Sequence, residues 1–144
     1  MLNGKAFIGA LAPLLCLAIT GCASAVTYDQ YLQNVQPPES GNGRVYVYRV
    51  DTVGTAIRPS IILDGEILGR AVPNRFYYRD VPAGQHEVTV STESKSKLSF
   101  AVAAGKEVHV KIEVRITPAS WHVTPVLVLA ETAQEEIRAT KRGS

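Results

Sequence analysis

The chain has 144 residues, 46% of them hydrophobic and 19% charged, and a formal net charge of +2. That balance is too even to indicate nucleic-acid binding, and no run of like charges occurs. The length suits one domain of modest core, and two cysteines are too few for a disulfide framework.

Residues 1–21 have the three parts of a secretory signal: one early cation (Lys5), an apolar run from Ala6 to Ile19, and small residues at the end. The run is short for a bilayer span of about 20 residues, and Pro13 interrupts it. It closes on Ile19-Thr20-Gly21-Cys22, which resembles the lipobox of bacterial lipoproteins. The resemblance implies a diacylglycerol thioether on Cys22, cleavage after Gly21, and acylation (palmitate-type) of the new amino group. One acyl chain anchors a protein only marginally, at about 0.8 kcal/mol per buried methylene, and two or three anchor it stably. Cys16 leaves with the signal peptide, so the mature chain keeps one cysteine and no internal disulfide.

Residues 22–43 read as the lipidated Cys22 followed by a flexible tether, polar and broken by Pro37-Pro38, Gly41 and Gly43. Tyr28, Tyr31 and Leu32 offer an alternative, a short turn packed against the body. Ala23 resembles the outer-membrane class of lipoproteins. The expected location is therefore the cell envelope, lipid-anchored at the outer membrane and facing the periplasm.

Residues 44–144 carry a β pattern. "RVYVYRV" (44–50) opens it, and "IILDGEILG" (61–69) holds Asp64-Gly65, the strongest short hairpin signal. "RFYYRDVPAGQHEVTVST" (75–92) reads strand, turn, strand, with Pro82 and Gly84 in the turn. "KLSFAVA" (97–103) is expected to form a hairpin with "EVHVKIEVRI" (107–116), whose ten residues alternate without exception between a dry and a wet face. "TPVLVLA" (124–130) is a last strand, and "ETAQEEIRATK" (131–141) reads as a short helix burying Ala133 and Ile137. The expected fold is all-β, an antiparallel sandwich of about seven strands closed by a short C-terminal helix.

Those four segments, 44–50, 61–69, 76–93 and 97–114, together resemble a domain of small proteobacterial lipoproteins that has no known function. The Asp-Gly turn followed by Val-Pro-x-Gly-x-His-x-Val is also similar to PEGA-type surface modules. The resemblance spans about residues 44–131, implies an Ig-like or PEGA-like sandwich, and brings no catalytic residues with it.

Chemistry is sparse in the residues themselves. His86, His109 and His122 lack metal-ligand spacing, and no Gly-x-Ser-x-Gly elbow or Gly-rich phosphate loop occurs. Asp64, Asp80 and Glu93 each suit a turn or strand end, and Trp121 suits a cap over one end of the sandwich. The expectation is a non-enzyme without cofactor or metal. A binding or assembly module for another envelope protein comes first, a peptidoglycan- or glycan-binding module second, and a hydrolase last. The candidate binding face takes Arg44, Tyr46, Tyr48 from one strand and Arg75, Tyr77, Arg79 from another, on the premise that the two strands are neighbours. Tyrosines that favour strands and arginines that keep a face soluble are the plain alternative.

Overall fold

The computed structural model describes residues 25–143; the signal peptide and Cys22 lie outside the described residues. Helix α1 (Tyr28–Asn34) comes first, followed by strands β1 (Asn42–Arg49), β2 (Ser60–Leu63), β3 (Glu66–Arg70), β4 (Arg75–Pro82), β5 (Gly84–Ser91), β6 (Lys95–Val102), β7 (Glu107–Ile116) and β8 (Trp121–Val128). Helix α2 (Ala130–Arg138) and strand β9 (Lys141–Arg142) end the described chain. The strands form two sheets, ordered β8-β7-β1-β4-β9 and β3-β2-β5-β6. This is the expected β-sandwich with a C-terminal helix, enlarged by two short strands.

Two expectations about pairing are corrected. The five-stranded sheet is mixed, because β1 runs parallel to β7 and β4 parallel to β9. The segments 97–103 and 107–116 form no hairpin: β6 pairs with β5 in one sheet and β7 with β1 and β8 in the other. The chain changes sheets between β6 and β7, and again between β4 and β5 at Ala83. A β6–β7 hairpin would place both strands in one sheet and leave β1 without the β7 partner that covers its other edge.

The Asp64-Gly65 turn is as expected. Both residues have positive φ (52° and 84°), which a two-residue turn of type I′ requires. Val45, Val47, Ile61, Leu63, Val88 and Val90 meet between the sheets, with Val110, Ile112 and Phe100. Trp121 packs half-buried against the same core.

Residues 25–43 are not a tether throughout: the alternative holds for Tyr28 and Tyr31, which pack on the body from a helix and not a turn, while Leu32 stays exposed. Thr27 and Gln30 form a reciprocal capping box: Gln30 N–H donates to Thr27 Oγ1 (3.3 Å) and Thr27 N–H to Gln30 Oε1 (3.0 Å). The helix they start buries Tyr28 and Tyr31 against Tyr46, Tyr48 and Phe76 of the five-stranded sheet, beside Ala133 and Ile137 of α2. The two helices thus make a third layer with a core of its own. β1, in the middle of that sheet, is buried on both faces from Gly43 to Arg49.

Arg49 is 1% exposed and organises the long β1–β2 connection. Its guanidinium donates to the carbonyls of Ile57 (2.6 Å), Ala71 (2.9 Å), Gly54 (3.2 Å) and Val53, and its Nε to Asp51 (2.9 Å). A buried cation is tolerable only when its donors are satisfied in this way.

Candidate functional site

β1 and β4 are indeed neighbours, but the expected single face does not form. In the antiparallel register Tyr46 stands opposite Tyr78 and Tyr48 opposite Phe76, while Val47 stands opposite Tyr77. Arg44, Tyr46 and Tyr48 therefore point to the helical layer, and Arg75, Tyr77 and Arg79 point the other way. A single face would need Val45, Val47 and Phe76 to share one core, but the valines face the second sheet and Phe76 faces the helices. The helices supply a second core, so both faces of this strand pair are covered.

Most of these side chains are committed to structural bonds, and Arg75 alone makes a single long one. Arg44 donates to both carboxylate oxygens of Asp80 (2.5 and 2.8 Å) and to the Gln36 carbonyl (2.8 Å). Tyr46 Oη meets Tyr31 Oη at 3.2 Å and Glu107 at 3.4 Å. Tyr48 donates to Glu136 at 2.7 Å, which also accepts from Lys111 at 2.7 Å. Tyr77 donates to the Arg70 carbonyl at 2.5 Å, and its ring lies so close to Gly69 that a Cβ there would sit 2.4 Å from it. Arg79 bonds Glu66 (3.2 Å) and the Ile67 carbonyl (3.1 Å), and Arg75 the Arg142 carbonyl (3.3 Å). Burial, above all, raises the phenol pKa values of Tyr46 and Tyr48 beyond the ordinary range, and that of Tyr28 to about 12. None of the three is an acid or base at neutral pH.

The two turn motifs meet in a clamp. His86 Nδ1 lies 2.6 Å from Asp64 Oδ2, and Nε2 lies 2.7 Å from the Pro82 carbonyl. A carboxylate and a carbonyl only accept, so both ring nitrogens donate and His86 is an imidazolium. Burial works against the charge, yet the bonds to Asp64 and Pro82 raise its pKa overall. Asp64 also accepts the Glu87 N–H at 2.9 Å, tying the β2–β3 turn to β5.

The remaining chemistry lies on the flank formed by the two edge strands β6 and β8. A groove of about 400 Å³ opens there, lined by Phe100, Val108, His109, Leu127, Val128 and Leu129. Leu127 is 52% and Leu129 81% exposed, two large apolar side chains two residues apart on the rim of the groove. His109 stands on the strand face expected to be wet, but it is 1% exposed. Its ring stacks on Tyr46 at 5.0 Å and 6°. Its Nε2 has no hydrogen-bond partner among the described residues, and the nearest carboxylate oxygen, on Glu107, is 3.9 Å away. Burial lowers the His109 pKa, partly offset by the Glu107 charge. The alternation in β7 could not show that the helical layer and Val128 cover this position.

Ser120 and His122 touch at 3.0 Å at the exposed start of β8, without an acid bonded to the second ring nitrogen among the described residues. A nucleophilic dyad needs that orienting group. No cluster of three His, Cys, Asp or Glu able to hold a metal ion occurs among the described residues.

The architecture defines a two-sheet β domain with a helical cover and one apolar open flank. The chain belongs to the family described as "Protein of unknown function (DUF2846)", whose profile matches residues 39–124. It is also similar to an "Uncharacterized protein" of Haemophilus influenzae, at 28% identity over 111 residues. That alignment covers 76% of this chain and 66% of the relative.

Proposed function

We propose that this protein is a lipid-anchored envelope protein, held by Cys22 at the periplasmic face of the outer membrane, whose β domain is a non-catalytic docking module for another envelope protein. The apolar β6–β8 flank carries the reading. β8 is the outermost strand of its sheet, so its outer backbone edge has no strand partner among the described residues. Such an edge takes an extended peptide as an added strand, with main-chain bonds for affinity and side-chain pockets for specificity.

Pro125 interrupts the edge, since it has no N–H to offer. The usable stretch is Val126–Leu129, where Leu127 and Leu129 project on one side beside the groove. The occupant is then a short extended segment with apolar residues at alternate positions. A glycan-binding face would use exposed aromatic rings, and among the described residues no aromatic side chain is exposed: only Tyr78 and Trp121 are partly open.

The test compares the full chain with a Leu127→Glu/Leu129→Glu variant. Both side chains are exposed, so the melting temperature should hold. Capture of one discrete envelope protein from detergent-solubilised membranes should be lost. Equal capture by the folded variant contradicts the docking flank.

A further inference from the structure

Four cations surround the point at which the described chain begins. Thr27 bridges to Lys141, and the Arg142 N–H donates to the Val26 carbonyl at 2.7 Å, so residues 26–27 run along β9. Arg75 stands opposite Lys141 in the β4–β9 pair. Arg138, in the last turn of α2, approaches Asp29 at 4.0 Å. Among the described residues, Arg75, Lys141 and Arg142 have no carboxylate within 4.0 Å. The guanidinium of Arg142 is held 4.9 Å above the Tyr78 ring, and Lys141 and Arg142 are both exposed.

Charged side chains guard an edge strand from unwanted pairing, but residues 26–27 already cover this edge. Here the cations gather at the β9 rim of the sheet, with Arg75 of β4 and Lys141 on one face and Arg142 on the other, and Arg138 in the last turn of α2 just before β9. The whole chain carries a formal net charge of only +2, so the concentration is local.

We propose that this flank is the membrane-facing surface of the domain, where Arg75, Arg138, Lys141 and Arg142 bind anionic phospholipid headgroups. The inference rests on the lipid-anchor reading. Cys22 precedes Val26 by four residues, a span of at most about 14 Å, so an acylated Cys22 keeps the cluster near the bilayer surface. Cations act on a charged surface only within about a Debye length, roughly 8 Å at physiological salt, so that proximity is what makes them effective. The acyl chains alone anchor stably, so the basic patch adds an electrostatic contact that fixes how the domain lies on an anionic surface. Binding by this flank also sets orientation. β9 and β8 are opposite ends of one sheet, about 19 Å apart at the usual strand spacing, so the docking groove faces away from the lipid.

Flotation of the purified full chain with phosphatidylcholine vesicles, with and without phosphatidylglycerol and at low and high salt, tests this. Binding to the neutral vesicles reads the acyl anchor, and the increment given by phosphatidylglycerol reads the patch. The increment should vanish at high salt and fall about a hundredfold in Arg75→Gln/Lys141→Gln/Arg142→Gln, with neutral binding unchanged. If that variant melts early, Lys141→Glu alone, at an exposed side chain, should give a smaller loss of the same kind. An increment that survives in the folded variant, or no increment at all, overturns the proposal. Failure to bind neutral vesicles with the increment intact defeats the anchor instead. A preference for peptidoglycan sacculi over anionic vesicles, lost in the same variant, would assign the flank to a polymer and overturn the lipid.

Discussion

The His86–Asp64 clamp makes a pH-dependent contribution whose sign the geometry fixes. Asp64→Asn removes the charge but keeps an acceptor for the Glu87 N–H and a residue that tolerates the positive φ of 52°. A hydrogen bond between charged groups contributes about 1.5–3 kcal/mol when desolvated. The His86 side chain is 10% exposed but Asp64 is 41% exposed, so solvent screening reduces this to about 1 kcal/mol. For a domain of this size that is a melting shift of about 4 °C. The folded pKa of His86 lies above its unfolded value near 6.5, so the stabilisation is complete below about pH 6.5. It is lost as pH rises through the folded pKa. Asp64→Asn should thus be the less stable protein in acid, and the deficit should close in base. Proton NMR titration of His86, with urea melts on both sides of its pKa, measures this. A His86 pKa at or below the ordinary value refutes the imidazolium, as does a deficit independent of pH.

Other substitutions probe the remaining parts. His109→Phe keeps the ring stack and removes a buried unpaired nitrogen, so stability should rise by about 1 kcal/mol. Because the His109 pKa is lowered, the unfolded chain takes up a proton first as pH falls below about 6.5, and the gain should be larger in acid, read by urea melts at two pH values. Tyr31→Ala should destabilise the domain by about 3 kcal/mol, against under about 0.5 kcal/mol for Leu32→Ala on the exposed side of α1, in thermal melts of the two variants. Cys22→Ser should leave an unprocessed precursor that incorporates no fatty-acid analogue in metabolic labelling.

The two-sheet body was legible because its strands alternate and its turns use residues that few other conformations favour. Asp64-Gly65 and the dry side of β7 from Val108 to Val114 needed nothing beyond the local pattern, though Ile116 at the strand's end is 54% exposed. The pairing of β1 with β7 was hidden, since a parallel partnership across five intervening strands leaves no local mark. "RVYVYRV" misled for a related reason: valine and tyrosine are both apolar enough to bury, so a strand covered on two sides looks like one with an exposed aromatic face. A signal for the covering helix was present in Thr27-x-x-Gln30 and the Tyr28/Tyr31 spacing, in a segment whose prolines and glycines read as linker. The flank proposed for docking was out of reach, because Leu127 and Leu129 become conspicuous only once β8 is known to be an edge.

The most direct measurement of the docking account is photocrosslinking in intact cells, with a reactive residue placed in turn at positions 127, 129 and 55 of the full-length protein. Residue 55 lies in the exposed β1–β2 connection, away from the groove. Crosslinks from 127 and 129 should reach one envelope protein, at residues two apart in a single segment, and position 55 should capture none of it. Equal capture from all three positions, or none from 127 and 129, would contradict the assignment of β8 as the docking edge.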